Sequence, residues 1–119
     1  MAKFVNKSRN VKNTAFSTYN LANTLVGSLT ALTSNKGHVL IGCNVANIHT
    51  ATVTVDVALI TDGDPDVITY IAKDVTIPVG GNVELVDGKI VIDSDTTKIH
   101  ARCSVDTKAD IIVSVLENA

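Results

Sequence analysis

Five side chains of this 119-residue chain could bind zinc: His38, Cys43, His49, His100 and Cys103. Side chains on a β-strand alternate between its two faces, so residues an odd number of positions apart point to opposite sides. His38 and Cys43 are five positions apart, and His100 and Cys103 are three apart, which disfavours a shared tetrahedral site. We therefore expect no metal site, histidines exposed on polar strand faces, and two buried free thiols.

The segment Asp62-Gly63-Asp64-Pro65-Asp66 places three carboxylates at alternate positions, as the start of a calcium loop does. A complete loop also needs a glycine after the third ligand and a bidentate glutamate downstream. Here the glycine and the proline stand at the wrong positions, and the next glutamate is Glu84. The segment therefore predicts a turn, and so does the pair of aspartates in residues 93–95.

Catalytic patterns are absent from the sequence. It contains no serine in a strand-turn-helix elbow, no cysteine with an identifiable base and no glycine-rich phosphate loop. Glu84 and Glu117 are the only glutamates, and nothing in the pattern pairs them. We expect no enzymatic activity, no catalytic residue and no cofactor.

The elements that would position these residues are strands. Residues 51–59 and 98–105 alternate apolar and polar side chains, with Asp56, Ala58 and His100 among those assigned to the polar faces. Further strands are predicted at residues 39–48, 66–77, 82–86, 89–93 and 109–117. Several of these are apolar on both sides, which indicates a second buried surface.

Turn residues separate the predicted strands, and Asp87-Gly88 between two of them predicts a two-residue hairpin. Strands at this spacing without long helical stretches are typical of an antiparallel sandwich. We predict an all-β fold in which residues 14–119 form a single, jelly-roll-like antiparallel β-sandwich domain. Residues 14–33 fit either a helix with leucines at helical spacing or interrupted strands, and the many Ser and Thr residues favour strands.

Charge is sorted along the chain. All twelve acidic residues lie at or after Asp56, whereas five of the ten basic residues precede it. Residues 1–13 are polar and without periodicity, which predicts a basic extended arm. Its cations are the candidate partner-binding residues: Lys3, Lys7, Arg9 and Lys12.

Three roles are open for this arm: docking on an acidic surface or adding a strand to a neighbouring sheet, remaining a solvated tail, or binding nucleic acid. Four cations interleaved with asparagine are a weak nucleic-acid pattern, so docking is favoured. We expect removal of residues 1–13 to leave thermal unfolding nearly unchanged.

The N-terminus is basic but has no apolar run after it, and no apolar stretch reaches membrane-spanning length. We therefore expect neither a signal peptide nor a membrane span. Without secretion, free thiols are favoured over a disulfide between Cys43 and Cys103.

From Leu29 onward the order of motifs resembles that of small virion proteins of tailed bacteriophages. The motifs are LTALT, the NKG turn, GHVLIGCNVAN, TVTVDV, TIPVGGNVEL, GKIVID, KIHARCSV and IIVSVLE. The resemblance implies a β-sandwich capsid decoration or cement protein, or a related head or tail accessory, located in the virion and assembled in the host cytoplasm. It implies the major capsid protein or other virion subunits as partners, and a homo-oligomeric state such as a trimer. Residues 1–28 lie outside the matching region.

The leading hypothesis is thus a non-enzymatic virion protein that bridges shell subunits through sheet edges and the N-terminal arm. A carbohydrate-binding or host-adhesion module is an alternative, but such sites need aromatic platforms, and Tyr70 is the one aromatic residue that offers support. A small nucleic-acid-binding protein is a third, based on the arm alone.

Overall fold

The computed structural model describes residues 3–13, 37–61, 63, 65, 67–92 and 97–117, and within them every regular element is a β-strand. The strands, in chain order, are β1 (Lys3–Asn10), β2 (His38–Asn47), β3 (Val53–Thr61), β4 (Val67–Ile77), β5 (Asn82–Glu84), β6 (Ile90–Ile92), β7 (Thr97–Cys103) and β8 (Ala109–Glu117). The predicted all-β class is confirmed. Residues 14–33, whose helix or strand character was open, lie outside the described residues, as do Asp62, Asp64, Asp66 and residues 93–96.

The described strands form two antiparallel sheets. In the first, β8 lies between β1 and β2, and the other edge of β2 pairs with β5 and β6. In the second, β3 lies between β4 and β7. Side chains from both sheets pack into one aliphatic core, so the arrangement is sandwich-like. Its most buried members include Leu40, Val45, Val55, Val57, Ile99, Ile111, Val113 and Val115.

The prediction of a two-residue hairpin at Asp87-Gly88 is wrong. Both β5 and β6 pair with β2, so the chain runs in one direction along the same edge and does not fold back on itself. Gly88 has a φ of 96°, a conformation that glycine adopts readily, and it lies within the interruption between the two short strands. The local Asp-Gly pattern did not reveal that β2 would be the better partner for both.

A bulge in β2 changes which residues face the core. The register with β8 shifts between Leu40 and Gly42, so Ile41 is an extra residue. Before the bulge, the even-numbered His38 and Leu40 are buried; after it, the odd-numbered Cys43 and following alternate residues are buried. The prediction that His38 is exposed is therefore wrong, because strict alternation does not hold across the bulge.

The second face of β3 is also buried. Ala58 and Ile60 are fully buried and form a separate cluster with Ile68, and Asp56 is only 7% exposed. His100, which pairs with Ala58 across the ladder, is 0% exposed. The prediction that Asp56, Ala58 and His100 lie on polar, exposed faces is therefore wrong, and β3 is buried on both faces along this stretch.

Asp56 sits where β4 departs from regular pairing. On β3 only Asp56 separates Val55 and Val57, but their partners Val75 and Ala72 are three positions apart. The extra residue is accommodated at Asp74, whose φ is 54°. The Asp74 backbone N–H donates to Asp56 Oδ1 at 2.6 Å, and Arg102 Nη1 from β7 lies 3.7 Å from Asp56 Oδ2. One carboxylate thus joins all three strands of the second sheet.

The N-terminal segment is part of the first sheet. β1 pairs with β8 from Lys3 opposite Glu117 to Asn10 opposite Asp110, and Val11 is 2% exposed in the core. Beyond it, the Lys12 carbonyl accepts the Cys103 N–H at 3.1 Å. The predicted separate arm is not confirmed: these residues are extended, but they form an edge strand that is tied to β7 and β8.

Replacing Val11 by alanine should lower the free energy of unfolding by about 2 kcal/mol, because it removes two buried methyl groups from the core. Urea unfolding monitored by circular dichroism measures the change. Lys12→Ala, at the exposed neighbouring position, is the control and should cost less than about 0.5 kcal/mol. Equal, small losses for both variants would mean that this segment behaves as the dispensable arm expected from the sequence.

Asp56→Ala should cost about 3 kcal/mol, because it leaves the Asp74 N–H without its acceptor and Arg102 without its carboxylate. Asp74→Gly keeps the N–H donor and permits the positive φ, so we expect a loss below about 1 kcal/mol. Chemical denaturation of both variants tests this pair. Comparable losses would show that the bulge depends on the Asp74 side chain and not on the carboxylate of Asp56.

Candidate interaction surface

The outer face of the first sheet carries an apolar row that crosses its strands. Phe4 of β1 pairs with Leu116 of β8, Leu116 pairs with Val39 of β2, and Val39 pairs with Val91 of β6. We call these four residues the apolar row. Phe4 is 74% exposed and Val91 57%, while the two central residues are half-buried. The bulge residue Ile41, which is 43% exposed, adds to the same apolar area.

Apart from Ile112, which is exposed, the outer face of β1 and β8 beyond the apolar row is largely polar, and several of its side chains hydrogen-bond to one another. Ser114 Oγ donates to Asn6 Oδ1 at 2.8 Å. Asn10 Nδ2 lies 3.0 Å from Asp110 Oδ1, its hydrogen-bond acceptor. A shallow cleft of about 360 Å³ lies at this end and is lined by Ser8, Asn10, Asp110, Ile111 and Ile112. Since its polar groups include pairs that already bond to one another, the cleft offers less unsatisfied surface than the apolar row.

Among the described strands, β1 also lies at an edge of its sheet. Among the described strands it pairs with β8 alone. Val11 N–H donates to the Ala109 carbonyl, and hydrogen-bonded pairs alternate along an antiparallel ladder. The odd-numbered residues of β1 therefore bond to β8, while the backbone N–H and C=O groups of Phe4, Asn6 and Ser8 face away from the sheet. A further strand could bond to these groups.

The predicted partner-binding residues fall on and just after this edge strand. The register places Lys3 opposite Glu117, Lys7 opposite Val113 and Arg9 opposite Ile111. Lys12 follows β1 and is exposed. Three of the four residues are thus brought to alternate positions of one strand, next to the residues with outward-facing backbone groups.

Of the other edge strands in the described sheets, β7 also pairs in unbroken register, whereas β4, β5 and β6 are less regular. β4 contains two register shifts opposite β3, with Asp74 in a positive-φ conformation. β5 and β6 are three residues each and are separated by an interruption. Bulges and short strands are the usual means by which proteins prevent edge-to-edge pairing. β1, with eight residues in unbroken register, carries neither feature.

Tyr70, the residue that favoured a carbohydrate site, lies on β4 and is 43% exposed. The Lys73 ammonium nitrogen is 5.1 Å from the centroid of its ring, a cation–π distance, and is also 3.6 Å from Asp74. One ring face is therefore engaged by a neighbouring side chain.

The sequence predicts neither a metal site nor a membrane span. Within the described ranges, no group of three or more His, Cys, Asp or Glu side chains is placed to hold an ion. No helix in the same part of the chain has the length and apolar character to cross a membrane.

Cys43 and Cys103 are both free and fully buried, as predicted. Burial, with a smaller contribution from the charge of Glu84, raises the pKa of the Cys43 thiol from 9.0 to about 12. Glu84 Oε1 also accepts the Cys43 backbone N–H at 2.6 Å. A buried thiol that resists ionisation is a poor nucleophile, so its contribution is to packing.

Comparison with known proteins does not extend these findings, since no protein-family model and no curated protein sequence matches the chain.

Sequence reasoning missed the apolar row. Its members are scattered over the chain between Phe4 and Leu116, and register alone brings them together. One pattern could have pointed to them: several predicted strands were apolar on both sides, and the interpretation was a second buried surface. At Val91, which lies in one of those strands, the second side is exposed.

The raised pKa of Cys43 predicts a loss of stability in alkaline solution. The unfolded thiol ionises near pH 9.0 and the folded one near pH 12, so this contribution to stability is complete below pH 9.0 and declines as pH rises through that window. Cys43→Ala should flatten the dependence of the unfolding midpoint on pH between these values. An unchanged slope would show that Cys43 ionises as easily in the fold as in the unfolded chain.

Proposed function

We propose that this chain is a non-enzymatic structural protein of a tailed-phage particle, a capsid decoration or cement protein that bridges shell subunits. The observation that carries the proposal is the apolar row, which ends at Phe4 on the regular edge strand of the first sheet as the described strands define it. A soluble domain that exposes apolar side chains in a continuous row beside such an edge presents a surface suited to another protein. The resemblance of the motifs after Leu29 to small virion proteins supplies the particle as context.

The complete domain is, in this proposal, a jelly-roll-like sandwich, to which the two antiparallel sheets lend support. The N-terminal contribution to binding comes from β1 as an edge strand, together with Lys12 immediately after it. We further propose that the protein acts as a homo-oligomer, such as a trimer, and that it is located in the virion. Complementarity of surfaces performs this function, so it requires no catalytic residue or cofactor.

Mass spectrometry of purified virions tests the proposal directly, since a cement protein should be present in stoichiometric amounts with the shell. Absence from the particles, or presence only at trace level, would contradict it. Binding of the purified chain to particles that lack it then tests whether the apolar row makes the contact.

Val91→Ser should weaken attachment to particles about tenfold, because burial of a valine side chain contributes roughly 1.5 kcal/mol or more. Val79→Ser is a matched control: Val79 is the same residue type with the same 57% exposure, but it lies in the turn before β5. Both variants should unfold at the temperature of the unmodified chain. Equal attachment of the two variants would exclude the apolar row as the contact.

A further inference from the structure

The connection between β5 and β6 contains an Asp-Gly pair, Asp87-Gly88, that lies outside the strand pairing. β5 ends at Glu84 and β6 begins at Ile90, and the register with β2 gives a partner to neither residue of the pair. Both residues are exposed. A Cβ placed on Gly88 would meet nothing within 4 Å beyond its chain neighbours, so the space around the pair is open.

An aspartate that precedes glycine is prone to cyclise onto the backbone, because its carboxyl carbon Cγ lies within reach of the next backbone nitrogen. A side chain on the following residue hinders this approach, and glycine has none. The reaction also needs the backbone to rotate locally, which is easier outside a hydrogen-bonded ladder than within one. Asp87-Gly88 meets both conditions.

The other aspartates in the described part of the chain do not meet the first condition. Each of the four is followed by a β-branched residue, whose side chain crowds the backbone nitrogen. Three of them also lie within paired strands. The four residues are Asp56 on β3, Asp74 on β4, Asp106 before β8 and Asp110 on β8.

We infer that Asp87 is a modification site at which aspartate converts spontaneously to isoaspartate. The Gly88 nitrogen attacks Cγ of the protonated Asp87 carboxyl group, a C–N bond forms, and the carboxyl OH leaves with the amide proton as water. A water molecule then opens the resulting five-membered imide. Opening at Cγ restores aspartate, and opening at the Asp87 backbone carbonyl gives isoaspartate, so the chain keeps its mass.

The structural effect of this change falls on β6. Isoaspartate adds one methylene carbon to the backbone between two three-residue strands that both bond to β2. The β5 side of the connection is held by two further bonds: Glu84 Oε1 accepts the Cys43 N–H, and the Leu85 N–H donates to the Cys43 carbonyl at 2.8 Å. The longer connection therefore disturbs the pairing of β6, which places Val91 in the apolar row.

Ageing of the purified full chain in neutral buffer at physiological temperature tests the site. The readout is digestion with a protease that cleaves before aspartate but not before isoaspartate, followed by mass spectrometry with electron-transfer fragmentation. Isoaspartate should accumulate at residue 87 at least about tenfold more than at any of the other four aspartates. Its absence at residue 87, or similar accumulation at all five positions, overturns the inference.

Two variants at this exposed position change the chemistry in opposite directions. Asp87→Glu keeps the charge but would have to form a six-membered ring, which closes far more slowly, so isoaspartate-type products should be lost. Asp87→Asn forms the same five-membered ring with release of ammonia and should convert faster than the unmodified chain. If the Asn variant converts no faster than the unmodified chain, ring closure at Gly88 is not the route and the inference fails.

Hydrogen exchange locates the structural effect. Exchange at the amides of β6 should be faster in the aged chain than in the fresh chain, and unchanged by ageing in Asp87→Glu. Equal changes in the aged chain and the aged variant would overturn the assignment of the effect to residue 87.

The consequence for attachment rests on the proposed function, whereas the modification itself does not. Aged chain should attach to particles more weakly than fresh chain, and aged Asp87→Glu should attach as well as its fresh form. Equal losses in both would overturn the link between residue 87 and the apolar row. Absence of isoaspartate at residue 87 refutes this inference and leaves the proposed function standing; absence of the chain from virions refutes the proposed function alone.

Discussion

The pairing of β8 with strands on both of its sides is the interaction on which the first sheet depends. β8 bonds to β1 along one edge and to β2 along the other, and its alternate residues Ile111, Val113 and Val115 are at most 1% exposed. The same nine residues thus supply two hydrogen-bonded ladders and a row of core side chains. Because β8 pairs with two strands that are distant from it in the sequence, the first sheet requires long-range contacts, and such contacts form slowly in folding.

Local patterns located most of the described strands, since alternation of apolar and polar side chains is a property of neighbouring residues. β2, β4 and β8 lie close to the predicted ranges for that reason. β1 was missed because its composition is polar and basic, and its strand character comes from pairing with β8, more than a hundred positions away. Composition indicates the intrinsic preference of a segment. The strand conformation of β1 depends in addition on the hydrogen bonds that it forms with β8.

Bulges account for much of what sequence reasoning placed on the wrong face. The extra residue Ile41 reverses the alternation of β2, so His38 is buried although Cys43, five positions later, is buried as well. In the second sheet, the alternation of side chains assigns Asp56 to the polar face. Its carboxylate instead accepts the Asp74 N–H at the bulge of β4 and contacts Arg102. A bulge adds one residue to one strand of a pair. It is defined by the register with the partner strand, so the alternation of side chains within one strand does not predict it.

The separation of charge along the chain is not preserved in the register of β1 with β8. The register places Lys3 opposite Glu117 and Asn10 opposite Asp110. The Asn10 side chain donates from Nδ2 to Asp110 Oδ1 at 3.0 Å, so a polar contact joins the first and last described strands. Folding therefore brings segments from the basic and the acidic parts of the sequence into adjacent strands. The sorting of charge along the sequence thus does not describe how charged residues are distributed in the fold.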